Sequence, residues 1–319
     1  MAHMHSFRPF PFLQNPHLQT VLSTYSGKES PPPSFTQFIT LSDGDVLAAE
    51  VSRPKDWKEE NQTLVLVHGL AGSSGSSYLI RLTHKFLAEN KQIVRLNLRG
   101  SGKGEGLAHK PYHGGLSGDL YEVIKVLNQN HPKSPLILVG FSLGGNMVLK
   151  LAGEFQNLET HLKKVIAICP PISLEDSARR FQKSSNFFYQ RSFLKYLRNI
   201  VRSKKQKFSQ SLNHALLKCS SLYEFDDLFT APFWGFKNAK DYYNRCSSKA
   251  FISKITLPCH ILFAEDDPLV NSDSINETTL PSNIDLLITP NGGHMGFLGH
   301  PKYGSIRWMD EQILKWSNL

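Results

Sequence analysis

The chain has 319 residues, of which 40% are hydrophobic and 20% charged, with a formal net charge of +9. This is the balance of a soluble globular protein long enough to bury a substantial core. It excludes a membrane-spanning chain, because no apolar run approaches the ~20 residues a span needs, and the N-terminus lacks the continuous apolar stretch of a signal peptide.

Met1-Ala2-His3-Met4 reads as a cloning remnant, so the fold is taken from residue 5 onward. After the stiff Pro31-Pro32-Pro33, two β-rich runs, 35–41 and 46–51, flank Ser42-Asp43-Gly44-Asp45 and predict a hairpin with an Asp-Gly turn. Apolar strands then follow at 63–68, 93–98, 136–140, 164–169, 259–264 and 284–289, with helical stretches at 77–89, 115–130 and 145–154 between several of them. A hairpin feeding alternating strands and helices predicts an α/β fold, a mostly parallel sheet covered by helices on both faces.

The rhythm breaks between residues 171 and 254, where no central strand is legible. This segment is expected to be a helical cap inserted between a first core part, 5–170, and a last core part, 255–319. It also carries the excess charge: from Ser177 to Tyr223 lie eleven of the 36 basic residues and none of the 27 acidic ones. Within it, Phe193, Leu194, Leu197, Ile200 and Val201 share one helical face, with Arg191, Lys195, Arg198 and Arg202 opposite. One reading is a cap helix packed on the core with a solvated basic side. The other is a surface for peripheral contact with an anionic membrane. No nucleic-acid-binding motif accompanies the charge, so nucleic acid is not expected as a partner.

The motif with the most chemistry is Gly140-Phe141-Ser142-Leu143-Gly144, placed between the apolar run Leu136-Ile137-Leu138-Val139 and a helical segment. A G-x-S-x-G turn between a buried strand and a helix lifts the serine hydroxyl clear of the sheet and sets it at a helix N-terminus. A base and an acid should follow in chain order. Asp267, within Glu265-Asp266-Asp267-Pro268 after a late strand, is favoured as the acid over Asp266 and Glu265. His294, after Gly292-Gly293, is favoured as the base over His260 and His300. The oxyanion donors are expected to be the backbone N–H groups of Leu143 and of Leu70, in the loop His68-Gly69-Leu70, where His68 braces the loop. Gly100-Ser101-Gly102-Lys103-Gly104 fails as a phosphate-binding loop and reads as a glycine-rich loop near the mouth of the site. The four cysteines show no metal spacing and are expected to be free thiols in a reducing compartment.

Taken in order, Asn15-Pro16-His17-Leu18-Gln19-Thr20, His68-Gly69-Leu70, Asn97-Leu98-Arg99-Gly100, Gly140 to Gly145, Phe225-Asp226-Asp227, Asp241-Tyr242-Tyr243, Asp266-Asp267-Pro268 and Gly292-Gly293-His294 resemble the YheT-type branch of α/β-hydrolases, a branch that includes animal membrane-anchored lipid and ester hydrolases. The resemblance implies that Ser142, Asp267 and His294 occupy the triad positions. It also implies that the protein cleaves small-molecule or lipid esters with no metal or organic cofactor. The animal members carry an N-terminal membrane anchor, which is not visible in this sequence, so a cytoplasmic protein, peripheral to membranes at most, is expected. The same machinery would serve acyl-thioester hydrolysis or acyl transfer. A non-catalytic lipid- or membrane-binding member of the fold is the alternative from another class.

Overall fold

The computed structural model describes residues 7–25, 29–155, 162–203 and 210–319. Met1 to Met4, and Lys204, Lys205 and Lys207 of the basic segment, lie outside the described residues. The core is an eight-stranded sheet with strands β1 (Phe35–Thr40), β2 (Val46–Ser52), β3 (Thr63–Val67), β4 (Gln92–Asn97), β5 (Leu136–Phe141), β6 (Leu162–Ile168), β7 (Cys259–Ala264) and β8 (Ile284–Thr289). Their spatial order is β1-β2-β4-β3-β5-β6-β7-β8. The hairpin pairs antiparallel with β4, and the other six strands are parallel.

Strands β3 and β5 are buried along their whole length, as continuous apolar runs in a parallel sheet should be, and β4 is equally buried although it carries Gln92, Arg95 and Asn97. Alternate residues feed two core layers. Val65 and Val67 face α3 (Ser117–Asn130) and α4 (Leu143–Glu154), while Leu64 and Leu66 face α2 (Ser77–Ala88) and the C-terminal helix. The Asp-Gly turn is fixed from outside the hairpin. Buried Arg99 holds Asp43 at 2.8 Å, Asp45 at 2.6 Å and Asp119 of α3 at 2.6 Å. Asn97-Leu98-Arg99-Gly100 therefore acts as a structural clamp.

Helix α4 begins at Leu143, two residues earlier than the apolar pattern suggests. Position 144, inside it, has room only for glycine because backbone passes close by: a Cβ there would lie 2.4 Å from the Val67 carbonyl. An N-terminal helix, α1 (Pro16–Tyr25), which the sequence pattern did not single out, crosses toward the carboxyl ends of the strands. Between β6 and β7 come α5 (Leu174–Phe181), α6 (Phe187–Ser203), α7 (Gln210–Lys218), α8 (Leu222–Phe225), a π-helical turn (Asp226–Thr230), α9 (Ala231–Phe233) and α10 (Ala239–Cys246). These elements have cores of their own, one around Phe181, Leu194, Leu222 and Phe225 and one around Leu174, Ala231, Tyr242 and Tyr243. Residues after α10 return to the sheet, where Ile252 packs in the main core. The last helix is α11 (Trp308–Trp316).

The basic face of α6 is divided. Arg191, Lys195 and Arg202 are exposed, whereas Arg198 turns inward and donates to the carbonyls of Leu216 and Cys219 at the end of α7. That arginine satisfies the orphan carbonyls of a helix C-terminus and is not part of a free cationic surface. Among the described residues no helix is long and apolar enough to cross a membrane.

Candidate active site

In an open parallel sheet, ligands bind beyond the carboxyl ends of the strands where the winding reverses. Here the chain runs from β3 to β4 on one side, then returns past β3 to β5 on the other, so the reversal lies between β3 and β5. The two loops leaving these strands hold Leu70 and Ser142.

Ser142 has φ 50° and ψ −120°, a backbone conformation that costs a non-glycine residue about 1–3 kcal/mol. The surrounding packing enforces it. The Ser142 N–H donates to the Ile168 carbonyl at 2.8 Å, and Gly140 and Gly144 approach so closely that a Cβ on Gly140 would meet the Gly144 carbonyl at 2.3 Å. His294 comes from the loop after β8 and Asp267 from the turn after β7. The His294 Nε2 lies 2.9 Å from Ser142 Oγ, and its Nδ1 lies 2.8 Å from Asp267 Oδ2. A carboxylate can only accept, so Nδ1 carries the hydrogen and Nε2 of the neutral ring accepts from the serine hydroxyl. The other carboxylate oxygen of buried Asp267 accepts the N–H groups of Leu269 (2.8 Å) and Val270 (3.0 Å), which locks its plane.

The competing residues have other places. Asp266 turns away from the imidazole and accepts the Gly293 N–H at 2.8 Å, so it holds the histidine loop. Glu265 is exposed at the strand end. His260 pairs with Asp285 and stacks on Trp316, and His300 accepts the Lys302 N–H.

On the side of the expected oxyanion donors, the loop after β3 is anchored on either side of Leu70. The Gly69 N–H donates to Tyr78 and the Ala71 N–H to Tyr112 (2.9 Å). Among the described residues, the amides of Leu70 and Leu143 have no protein acceptor, and both residues line the same cavity as Ser142 and His294. His68 sits beneath, its Nδ1 2.7 Å from the Gly69 carbonyl and its Nε2 accepting the Leu98 N–H; burial lowers its pKa to about 4 and keeps it neutral. The glycine-rich loop at 100–104 packs beside this loop, with Gly102 against Ser73 and Asn97, and supplies no residue to the cavity wall.

Several contributors escaped the sequence reading. The Thr20 hydroxyl of α1 accepts the His294 N–H at 2.9 Å and donates to the Pro16 carbonyl at 2.7 Å. Gln19 makes hydrogen bonds with both the N–H and the carbonyl of Leu298. The run from Asn15 to Thr20 is thus a strap over the histidine loop. Gly293 fits beneath it at φ 57°, where a Cβ would lie 2.4 Å from the Pro16 carbonyl. Arg180 donates to the Asp267 carbonyl and to Asn271. Cys169 also stands close to Asp267 and His294, and burial and the Asp267 charge push its thiol pKa well up. These three are the group of described residues with metal-ligand chemistry, but Asp267 and His294 are already engaged with each other.

The cavity over Ser142 measures about 110 Å³. Its walls are mainly apolar, with Phe181, Phe193, Leu197 and Leu222 from the segment between β6 and β7 facing Leu70 and Leu143.

A family model described as alpha/beta hydrolase fold matches residues 62–301. The chain belongs to the α/β-hydrolase family. Within that family it is 29% identical over 314 residues to the YheT protein of Escherichia coli (strain K12), covering 97% of this chain and 92% of that one. It is 26% identical over 329 residues to monoacylglycerol lipase ABHD2 of Homo sapiens, covering 95% and 77%. Among solved structures, the esterase Pf2001 of Pyrococcus furiosus superposes with a TM-score of 0.58 at 18% identity, covering 91% of this chain and 95% of that one, a likeness of fold.

Proposed function

We propose that this α/β-hydrolase cleaves carboxylic esters through an acyl-enzyme, with Ser142 as nucleophile, His294 as base and acid, and Asp267 as the orienting carboxylate. The observation that carries the reading is the unbroken hydrogen-bonded chain Asp267–His294–Ser142, ending on a serine held in a strained turn. Ser142 Oγ attacks the ester carbonyl while Nε2 of His294 takes its proton. The new oxyanion accepts the N–H groups of Leu143 and Leu70, each such donor being worth about 10²–10³ in rate. The tetrahedral centre collapses, the imidazolium returns the proton to the departing alcohol, and the acyl group stays on Ser142. Water then repeats the sequence, with His294 again as base, and releases the acid. The chain's own residues supply every group this chemistry needs.

The apolar cavity suits a short or lipid-like acyl chain. Oxygen esters are preferred to thioesters in this reading, because several relatives are named as monoacylglycerol lipases. Labelling by a fluorophosphonate probe tests the assignment: the adduct is expected on Ser142 and absent in Ser142→Ala. Labelling that persists in that variant, or that fails in folded wild type, would refute it.

Peripheral membrane contact belongs to the same reading. Phe188, Arg191, Lys195 and Arg202 recur at near-heptad spacing on the outer side of α6, and Phe188 is 80% exposed. An aromatic residue among cations fits an anionic bilayer surface. Flotation with anionic vesicles should fall when Phe188 and Lys195 are both replaced by serine; equal flotation removes the claim. The four buried cysteines are unpaired, which fits residence in the cytoplasm.

A further inference from the structure

The wall of the cavity over the serine is not uniformly apolar. Phe225-Asp226-Asp227 places three residues in three different roles. Phe225 is buried in the core beneath α6, and Asp227 accepts the Ala239 N–H at 2.8 Å at the start of α10. Asp226 lines the cavity that holds Ser142 and His294. It opens the π-helical turn, an irregularity that often marks functional positions. Its Oδ1 accepts the Thr230 hydroxyl at 2.6 Å and its Oδ2 the Tyr243 hydroxyl at 2.8 Å. Each oxygen therefore keeps a lone pair for a further donor. Burial raises its pKa to about 6. Two donors tie this carboxyl group to its own turn and to α10, but among the described residues no cation neutralises it, so its buried charge is left without a counter-charge.

The second observation is Ser177 of α5. It lines the same cavity, is only 7% exposed, and its hydroxyl has no hydrogen-bond partner among the described residues. A buried hydroxyl left unpaired is costly, and this one, on the cavity wall, is open to a ligand atom that would complete its bonding. The two residues ask for different things: the carboxylate wants a donor, and the serine proton wants an acceptor. A hydroxyl group satisfies both, whereas an ammonium only donates and would have to shed its water in an apolar cavity.

We propose that Asp226 and Ser177 form a hydroxyl-reading subsite, so that the enzyme selects esters carrying a free hydroxyl group. The inference rests on the ester-hydrolase reading above. The hydroxyl can belong to the alcohol part or to the acyl part, and three substrates separate these sources: glyceryl monobutyrate, propyl hydroxybutyrate and propyl butyrate. The measured quantity is the kcat/KM of each hydroxylated ester divided by that of propyl butyrate, corrected for their alkaline hydrolysis rates. Wild type should give a ratio of about ten or more for one of the two, the source of the hydroxyl, as expected for one hydrogen bond to a charged group. Asp226→Asn should bring that ratio down about five-fold or further. Ser177→Ala should do the same, and its hydroxyl has no protein partner whose loss would disturb the fold. A ratio near one in wild type, or one that survives either substitution, overturns the subsite. No turnover of any of the three esters by a wild type that hydrolyses p-nitrophenyl esters also overturns the subsite, whereas no turnover of either set would bring down the hydrolase reading itself.

Discussion

The strained turn at Ser142 gives the most discriminating test of how this site is built. At φ 50° and ψ −120° the residue stores about 1–3 kcal/mol that glycine would not. Ser142→Ala removes the hydroxyl but keeps the Cβ, so it keeps the strain and loses only the 2.9 Å bond to His294. Ser142→Gly loses the same bond and relieves the strain, against about 0.5–1 kcal/mol for the greater freedom of an unfolded glycine. The glycine variant should therefore be about 1 kcal/mol more stable than the alanine variant, although alanine ordinarily stabilises relative to glycine. Urea denaturation of the two proteins side by side measures this difference. Both should lose ester hydrolysis by ~10⁴-fold or more, since neither has the proposed nucleophile. A glycine variant less stable than the alanine variant would show that the turn is not strained, and the argument from backbone geometry to nucleophile would fail.

Asp267→Asn should keep the fold, because an amide oxygen can still accept the Leu269 and Val270 N–H groups. It should lower kcat by about 10⁴, because the imidazole tautomer is no longer fixed; steady-state kinetics checks both with a thermal melt alongside. Thr20→Val removes the hydroxyl that holds the His294 backbone and should lower kcat about 10- to 100-fold with little change in KM; an unaltered kcat would mean that the α1 strap does not position the histidine. Asp226 sets a pH dependence of stability. Its folded pKa of about 6 exceeds the ordinary 3.8, so between those values the folded state binds more protons than the unfolded chain and stability falls as pH rises. From pH 4.5 to 7 wild type should lose about 2 kcal/mol relative to Asp226→Asn, read from urea midpoints, and parallel curves for the two proteins would contradict this.

Local pattern was enough for the sheet and pointed to much of the candidate site. The runs at Leu64–Val67 and Leu136–Val139 are apolar at every position because helices cover both faces, and such runs are legible without partners. The serine turn announces itself through glycines that the close approach of β3 and α4 requires. Asp267 and His294 follow from chain order and from loops that converge beyond the strands. What stayed hidden depends on contacts far apart in sequence. Thr20 and His294 are 274 residues apart, and nothing in the run Asn15 to Thr20 says that its threonine will accept a distant backbone N–H. Asp266 and Asp267 are chemically alike, and only the fold turns one to Gly293 and the other to the imidazole. Arg198 shares the basic face of α6 by periodicity, but the end of α7 happens to pack there and takes it. Asp226 stands beside an identical residue in its motif, and their separate roles depend on the π-helical turn.

The central claim is that Ser142, His294 and Asp267 make this chain an ester hydrolase, and hydrolysis of p-nitrophenyl esters from acetate to palmitate by wild type and Ser142→Ala tests it most directly. The expected result is turnover by wild type with an optimum in acyl length set by the apolar cavity, and its loss in the variant. Turnover that survives in Ser142→Ala, or none from folded wild type with any ester of the series, would contradict the claim.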